Sequence, residues 1–152
     1  MIGIAGAKLP KQVLDGEDLR PLLTGHSATL AREALYWHFP AYLQASSSQG
    51  TWRTTPVSVV RKGRWKLLFY YETRRWELYD LASDIGEQHN VARQHATLVF
   101  ALGKQLREWL IETKAVLPFV KGTQQQVPYP AEGTEAVSWS LHVPRMTPPA
   151  RS

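Results

Sequence analysis

The sequence predicts an α+β fold in which a small antiparallel β-sheet of about four strands packs against one long C-terminal amphipathic helix. Two observations predict it. Between Thr55 and Leu81, apolar and aromatic residues form three short runs separated by polar reversals, which is typical of an antiparallel meander. From about Ala96 to Thr113, apolar residues recur at three- and four-residue steps, which is typical of a helix with one buried face.

Length and composition are those of one globular domain with a tail. The chain has 152 residues, of which 43% are hydrophobic and 20% are charged. It has no cysteine, so disulfides, thiolate metal sites and a cysteine nucleophile are excluded. The first ten residues are not a signal peptide, because the basic residue follows the short apolar run, and no run approaches the ~20 apolar residues of a membrane span. As written, the sequence predicts a cytoplasmic chain with no membrane segment.

The N-terminal part predicts a loop-rich lead-in followed by a strand. Prolines and an Asp-Gly pair interrupt residues 1–25. The run Ala34-Leu-Tyr-Trp-His-Phe39 is apolar and aromatic, and Pro40 closes it, which predicts a short strand that ends there. Residues 44–51 are rich in serine and predict a polar loop.

The meander is the most regular pattern in the sequence. Its first predicted strand is Val57–Arg61, and Lys62-Gly63 supplies a tight turn in which glycine accepts a positive φ. The second strand, Arg64–Tyr71, alternates large apolar side chains onto one face, namely Trp65, Leu67, Phe69 and Tyr71. A polar reversal then leads to the third strand, Trp76–Leu81.

After the sheet, Asp84 and Glu87 stand at the spacing of a capping box, which predicts a helical turn that ends at Asn90. The amphipathic helix follows, and its apolar stripe needs a partner, for which the meander is available. Beyond Leu117 the periodicity is lost. We expect a mobile tail there, laid partly over the domain through Phe119 or Trp139.

Candidate catalytic residues are few. The sequence has no Gly-x-Ser-x-Gly elbow and no glycine-rich phosphate loop, and none of its aspartates are adjacent. Of the five histidines, His38 is the best candidate, because it lies at the end of an aromatic strand where its ring would face a cleft. The structural alternative is a histidine that is hydrogen-bonded beneath a loop.

The net charge of +5 comes from 18 basic and 13 acidic residues. Part of the excess is clustered, at Arg61, Lys62, Arg64, Lys66, Arg74 and Arg75. Such a cluster is typical either of a surface that meets an anionic partner or of a hairpin edge that charge keeps soluble. Both interpretations stay open.

The ordered series of motifs from Thr55 to Trp109 resembles the C-terminal subdomain of type I sulfatases. The series reads Val59-Val60-Arg61-x-Gly63-x-Trp65-Lys66-Leu67, Glu77-Leu78-Tyr79-Asp80-Leu81, Asp84-x-x-Glu87-x-x-Asn90-Val91-Ala92 and Leu106-x-x-Trp109-Leu110. Upstream, Tyr36-Trp37-His38-Phe39-Pro40-x-Tyr42 is similar to family members that act on sulfated sugars. Many of those members have a second histidine where this sequence has Ala41.

The resemblance implies a large α/β domain of the alkaline-phosphatase type, which carries the catalytic residues. These are a Cys or Ser in Cys/Ser-x-Pro-x-Arg that becomes formylglycine, a calcium-binding Asp/Asn cluster, and a Lys and a His. None of these motifs occurs in the sequence. We therefore expect no cofactor on this chain, with calcium and formylglycine in a missing or separately encoded catalytic domain, and a parent enzyme that is exported or periplasmic.

On this interpretation the chain is a C-terminal fragment, inactive alone, of an enzyme that hydrolyses sulfate esters on a sulfated carbohydrate. Residues 1–29 form a lead-in from the catalytic domain, 30–118 form the subdomain and 119–152 form an irregular tail. His38 and Arg61 would contact the anionic substrate. The alternative is a stand-alone module that binds an anionic glycan or nucleic acid, the latter being the less expected partner, or that docks onto a separate catalytic chain.

Overall fold

The computed structural model describes residues 5, 6, 8, 11, 16–44, 52–120 and 122–130. The chain divides into two compact units, residues 1–34 and 35–152. In the first unit a short helix, α1 (Arg20–Leu23), begins beside Asp18, whose carboxylate accepts hydrogen bonds from the Arg20 backbone N–H (3.0 Å) and the Arg20 side chain (2.7 Å). The Glu17 carboxylate accepts the Ala31 N–H at 2.9 Å and closes the loop that follows.

The second unit confirms the predicted α+β fold. Its described strands form a four-stranded sheet in the order β1-β4-β5-β6 and a two-stranded sheet, β2-β3. The strands are β1 (Ala34–Phe39), β2 (Leu43–Gln44), β3 (Trp52–Thr54), β4 (Val57–Lys62), β5 (Trp65–Tyr70) and β6 (Arg75–Asp80), and helix α2 spans Ala96–Glu112. The predicted polar loop therefore begins one residue later than expected, because Gln44 pairs with Trp52, and residues 45–51 lie outside the described part.

The core lies between the meander and α2. In the antiparallel register, Val60 pairs with Leu67 and Leu67 with Leu78, and all three side chains are completely buried. Two residues further along each strand, Ser58 pairs with Phe69 and Phe69 pairs with Trp76. Helix α2 covers this face with a buried stripe: Val99, Leu102, Gly103, Leu106 and Leu110.

Gly103 sets how closely α2 approaches the sheet. A Cβ atom at Gly103 would lie 3.1 Å from Cη2 and 3.3 Å from Cζ2 of Trp76. The Trp76 ring cannot easily withdraw, because it is 1% exposed and packs against Phe69 with a centroid separation of 4.7 Å. The absence of a side chain at Gly103 is therefore part of the packing rather than a weakness of the helix.

The opposite face of the sheet carries a smaller apolar cluster. Val59, Leu68 and Tyr79 form its buried part, and Val57, Tyr70 and Leu81 pack against it. The Tyr79 hydroxyl donates to Glu77 at 2.8 Å, and Arg75 forms an ion pair with the same carboxylate. This face is thus apolar at its centre and charged around it.

The predicted capping box at Asp84 and Glu87 is not a helix. The Asp84 carboxylate accepts the backbone N–H groups of Gln88 (3.0 Å) and His89 (2.8 Å), which lie one and two residues too far along the chain for a helical cap. Glu87 has a positive φ of 54°, and its side chain binds Lys66 at 2.6 Å. The spacing alone cannot distinguish a capped loop from a capped helix.

Asn90 then closes the outer edge of β6. Its Oδ1 accepts the N–H groups of Leu78 (3.1 Å) and Ala92 (2.9 Å), and its Nδ2 donates to the Trp76 carbonyl at 3.4 Å. The Val91 N–H donates to the Leu78 carbonyl at 2.9 Å. The Asn90 amide therefore replaces part of a neighbouring strand, since it satisfies backbone groups that a sheet edge otherwise leaves unpaired.

The described part of the expected tail is held on α2. The Arg107 guanidinium donates to the Pro130 carbonyl at 3.2 Å and lies over the Tyr129 ring at 5.6 Å. Pro130 is fully buried, whereas Phe119 is 53% exposed. Tyr129 and Pro130, and not Phe119, therefore attach this segment, and Trp139 lies outside the described residues.

Replacing Gly103 with alanine is expected to destabilise the protein by about 1–3 kcal/mol, because overpacking against Trp76 outweighs the ~1 kcal/mol that alanine gains in helix propensity. In a Trp76→Phe background the same replacement should become neutral or stabilising, because the smaller ring withdraws from the new methyl group. Chemical denaturation of the unmodified chain, the two single variants and the double variant measures the coupling. An equal cost in both backgrounds would show that Gly103 is not limited by Trp76.

The Asn90→Ala variant is expected to lose about 1–3 kcal/mol of stability, since two backbone N–H groups lose their acceptor. Asn90→Asp keeps that acceptor, but it replaces the N–H by a carboxylate oxygen that repels the Trp76 carbonyl, so it should cost more than the one lost bond and less than Asn90→Ala. Urea denaturation followed by tryptophan fluorescence compares the two variants. An Asn90→Ala variant as stable as the unmodified chain would show that the Oδ1 atom is not the important group.

Candidate functional site

His38 lies on the side of β1 that faces the core. Side chains alternate along the strand, so that Tyr36 stacks on Trp109 of α2 with centroids 5.1 Å apart and an interplanar angle of 8°. Trp37 and Phe39 take the opposite side and are 49% and 37% exposed. Tyr36 and its stacking partner fix the strand against the helix, and this places the ring of His38 two residues further along.

Both ring nitrogens of His38 are hydrogen-bonded. Nδ1 lies 2.7 Å from the hydroxyl oxygen of Ser58 in β4, and Nε2 lies 2.9 Å from the backbone carbonyl of Val116, in the segment after α2. Ser58 is completely buried, and its oxygen lies 2.8 Å from the hydroxyl of Tyr71. The edge of the His38 ring also meets the Tyr71 ring, at 5.9 Å. Four residues therefore form one continuous hydrogen-bond chain.

The donors and acceptors available in these four groups determine the direction of each hydrogen bond between them. The Val116 carbonyl can only accept, so Nε2 of His38 must carry a hydrogen. In the neutral ring Nδ1 then accepts from the Ser58 hydroxyl, and the Ser58 oxygen accepts in turn from Tyr71. Burial raises the pKa of Tyr71 to about 12, so the phenol keeps its proton. The partners of His38 therefore place a hydrogen on Nε2, and this N–H points away from the core.

The sequence did not identify the partners of His38, although one signal was present. Ser58 is a lone hydroxyl in the β-branched run Val57–Val60, at a position that alternation assigns to the buried face. A buried hydroxyl needs a hydrogen-bond partner. Its identity depends on strand order, which the local pattern does not contain.

The loop after β1 is tied to the turn between β5 and β6. The Tyr42 hydroxyl donates to the Glu72 carboxylate at 2.6 Å, and that hydrogen bond raises the pKa of Tyr42 to about 12. Ala41 is exposed beside it. The structure therefore places a methyl group, and no imidazole, at the surface position where the resemblance would allow a second histidine.

Arg61, the second predicted site residue, lies apart from His38. In β4 the side chains of Ser58 and Val60 face α2, so Arg61 projects from the other face of the sheet. Its side chain is exposed and forms no hydrogen bond or ion pair with any residue that the structure describes. The structure does not bring the two predicted substrate contacts together.

Carboxylates neutralise much of the basic cluster. Arg64 binds both oxygens of Asp80, and these contacts lower the pKa of that carboxyl to about 2. Lys66 binds Glu87 at 2.6 Å. Arg75 pairs with Glu77, as described above. The cluster therefore offers an anionic partner less free positive charge than the sequence suggests.

The aromatic rings of the meander are mostly structural. Trp76 and Tyr71 are buried in the core, and Trp65 packs against His95 with centroids 5.0 Å apart. Tyr70 lies on the opposite face, with the Arg75 guanidinium 5.9 Å from its ring centroid. Stacking on nucleic-acid bases needs open rings, and this arrangement gives such stacking little surface.

Within the described residues, no group of three or more His, Asp or Glu side chains is placed to hold a metal ion. The same part of the chain contains no helix that is both long and apolar enough to cross a membrane.

Comparison with known proteins gives a consistent match. A family model described as N-sulphoglucosamine sulphohydrolase, C-terminal, matches residues 1–115. A protein named Sulfatase from Formosa agariphila is 33% identical over 141 residues, which are 84% of this chain and 24% of that protein. Arylsulfatase K of Mus musculus is 30% identical over 109 residues, which are 70% of this chain and 19% of that protein. The chain thus spans about a quarter or less of these relatives.

Solved structures agree on the fold. One, determined in complex with its substrate D-glucosamine-2-N,6-O-disulfate, is 25% identical with a TM-score of 0.52, over 74% of this chain and 22% of that one. Another, a 2-O GAG sulfatase, shares the fold with a TM-score of 0.60 at 24% identity, over 75% of this chain and 23% of that one.

Proposed function

The chain belongs to the N-sulphoglucosamine sulphohydrolase C-terminal family, and on that premise we propose that it forms one wall of the substrate pocket in an enzyme that hydrolyses sulfate esters on a sulfated carbohydrate. The observation that carries the proposal is the position of His38, whose Nε2–H lies at the surface of a sulfatase C-terminal subdomain and there donates to the Val116 carbonyl, which a ligand oxygen would replace. The substrate class is supported by the related structure that binds a glucosamine disulfate.

The chemical step belongs to another domain in this proposal. The sequence has no cysteine and no Ser-x-Pro-x-Arg, so it cannot supply formylglycine. Calcium is proposed to bind in that other domain as well, since the described residues of this chain include no group of three or more acidic or histidine side chains. Formylglycine would supply the nucleophile, and calcium would be held beside it in the catalytic domain. This chain alone is proposed to be inactive.

His38 is proposed to bind and orient the substrate. Its Nε2–H can donate to an oxygen of a sulfate or of a sugar, and a bond to a charged acceptor is stronger than one to a neutral acceptor. No proton needs to move, because Nε2 keeps its hydrogen before and after the contact. The role is therefore to orient, and it acts on binding more than on the bond that breaks.

Arg61 is proposed to contact a different part of the ligand. Because it projects from the face opposite to His38, the two residues cannot hold the same sulfate group. A sulfated chain of several sugars, in contrast, has anionic groups at many positions. Arg61→Ala should therefore weaken the binding of a longer glycan more than that of a monosaccharide.

The alternative of a separate docking module has one specific observation in its favour. Trp37 and Phe39 expose their rings side by side on one face of β1, and exposed aromatic residues of this kind are typical of interaction surfaces. A separately encoded catalytic chain would cover them. This alternative changes how the subdomain is joined to its enzyme and leaves the role of His38 unchanged.

The test uses a chimera in which this chain replaces the matching part of the sulfatase solved with D-glucosamine-2-N,6-O-disulfate. We expect the chimera to release sulfate from that substrate and the isolated chain to release none. His38→Ala in the chimera should raise KM by about 10- to 100-fold, the equivalent of one hydrogen bond to a charged group, with little change in kcat.

The matched control is His89→Ala, which removes a histidine whose side chain is 82% exposed on a loop. It should leave KM and kcat unchanged. A folded chimera in which His38→Ala has no more effect on KM than His89→Ala would refute the substrate role of His38.

A further inference from the structure

We infer that Ser58 and Tyr71 are positioning residues, which hold His38 in one tautomer and one ring orientation so that its Nε2–H is presented to an acceptor oxygen of the ligand. The substrate part of this inference rests on the proposed function. The hydrogen-bond chain itself does not, since it can be tested on this protein alone.

The two contacts of the His38 ring fix its orientation. A rotation of the ring by 180° would place carbon atoms where Nδ1 and Nε2 now lie, 2.7 Å from the Ser58 oxygen and 2.9 Å from the Val116 carbonyl. Both hydrogen bonds would be lost. The opposite tautomer would point the lone pair of Nε2 at the lone pairs of the Val116 carbonyl, which is repulsive. One arrangement of the ring therefore satisfies both ends.

Ser58 can fix the ring because it cannot turn elsewhere. The residue is completely buried, so water does not compete for its hydroxyl hydrogen. The Tyr71 hydroxyl, 2.8 Å away, supplies the hydrogen bond that the Ser58 oxygen accepts. Tyr71 is itself 5% exposed, and its ring packs edge-on against Phe69 with centroids 5.1 Å apart. The orientation of His38 is thus determined from the core outward.

The Val116 carbonyl occupies the place that a ligand oxygen would take. Val116 is 63% exposed, and its hydrogen bond to His38 lies at the surface. Ser58, on the other side of the His38 ring, is buried. An acceptor oxygen of a sulfate can replace this carbonyl without any change in the tautomer. A ligand group that has only hydrogens to donate cannot do so. The fixed tautomer of His38 therefore also determines which ligand groups bind. Its Nε2–H donates to sulfate or other acceptor oxygens and rejects cationic groups.

The first experiment is nitrogen-15 NMR of the histidine rings in this chain at about pH 8.5, two units above the ordinary pKa of histidine. We expect His38 to show a protonated Nε2 and an unprotonated, hydrogen-bonded Nδ1. In Ser58→Ala the Nδ1 resonance should move to the position of an unbonded nitrogen, and in Tyr71→Phe it should move less in the same direction. Ser58→Thr, which keeps the hydroxyl, should restore it, and His89 is the internal reference.

Two spectral outcomes would overturn the inference. One is a proton on Nδ1 in the unmodified chain, which needs no variant and therefore does not depend on whether Ser58→Ala folds. The other is an Nδ1 resonance that stays in place in both Ser58→Ala and Tyr71→Phe.

The second experiment places the same variants in the chimera and measures hydrolysis of D-glucosamine-2-N,6-O-disulfate. Ser58→Ala should raise KM about fivefold, the equivalent of one neutral hydrogen bond, with kcat per folded enzyme unchanged and with rescue by Ser58→Thr. If His38→Ala raises KM and Ser58→Ala does not, the positioning role is wrong. If the spectra change as expected but His38→Ala leaves KM unchanged, the hydrogen-bond chain stands and the proposed function fails.

Discussion

The contact between Gly103 and Trp76 determines how α2 lies on the sheet, and the rest of the unit depends on it. Because Gly103 has no Cβ, the helix axis can lie close enough for Val99, Leu102, Leu106 and Leu110 to be buried against the central strands. The same placement brings Trp109 onto Tyr36, and it sets where the chain emerges at Val116. His38 depends on both contacts. It lies in the same strand as Tyr36, and its Nε2 is hydrogen-bonded to the Val116 carbonyl. A packing constraint in the core thus reaches the candidate site through two elements.

The polar motif residues at the end of β6 and just after it hold the fold together. Asp80 holds Arg64 and the turn at Ala82 and Ser83. Asp84 caps a loop, Glu87 binds Lys66, and Asn90 completes the outer strand. Each has hydrogen-bond partners that account for its residue type. Most polar residues of the motif series that resembles the family therefore stabilise the edge and turns of this sheet. His38, the candidate site residue, lies outside that series, in β1.

The sequence predicted the parts of the fold that depend on local periodicity. Strands β1, β4, β5 and β6 and the helix lie within a residue or two of their predicted bounds. Apolar or β-branched runs predicted β1 and β4, alternation predicted β5, and three- and four-residue steps predicted the helix, because each pattern reflects a buried face. The capping-box prediction failed because Asp84 has the same preference for backbone N–H groups in a loop as at a helix start. The surroundings of His38 were not predictable in this way. Its two partners lie 20 and 78 residues away, and only strand order and the end of α2 bring them together. The same applies to Arg61, whose separation from His38 is a matter of which face of the sheet each residue occupies.

The side-chain amide of Asn90, at the edge of β6, affects whether two copies of this chain can pair through their sheet edges. Fibrils and swapped dimers grow when a strand of one molecule adds to an unpaired edge of another. At β6 that position is already taken by Asn90 and Val91, which hold the Leu78 backbone groups and the Trp76 carbonyl. A second molecule must first break these bonds before its own strand can pair there. Asn90 thus disfavours self-association through the β6 edge of the sheet, and it does so without a charge or a proline.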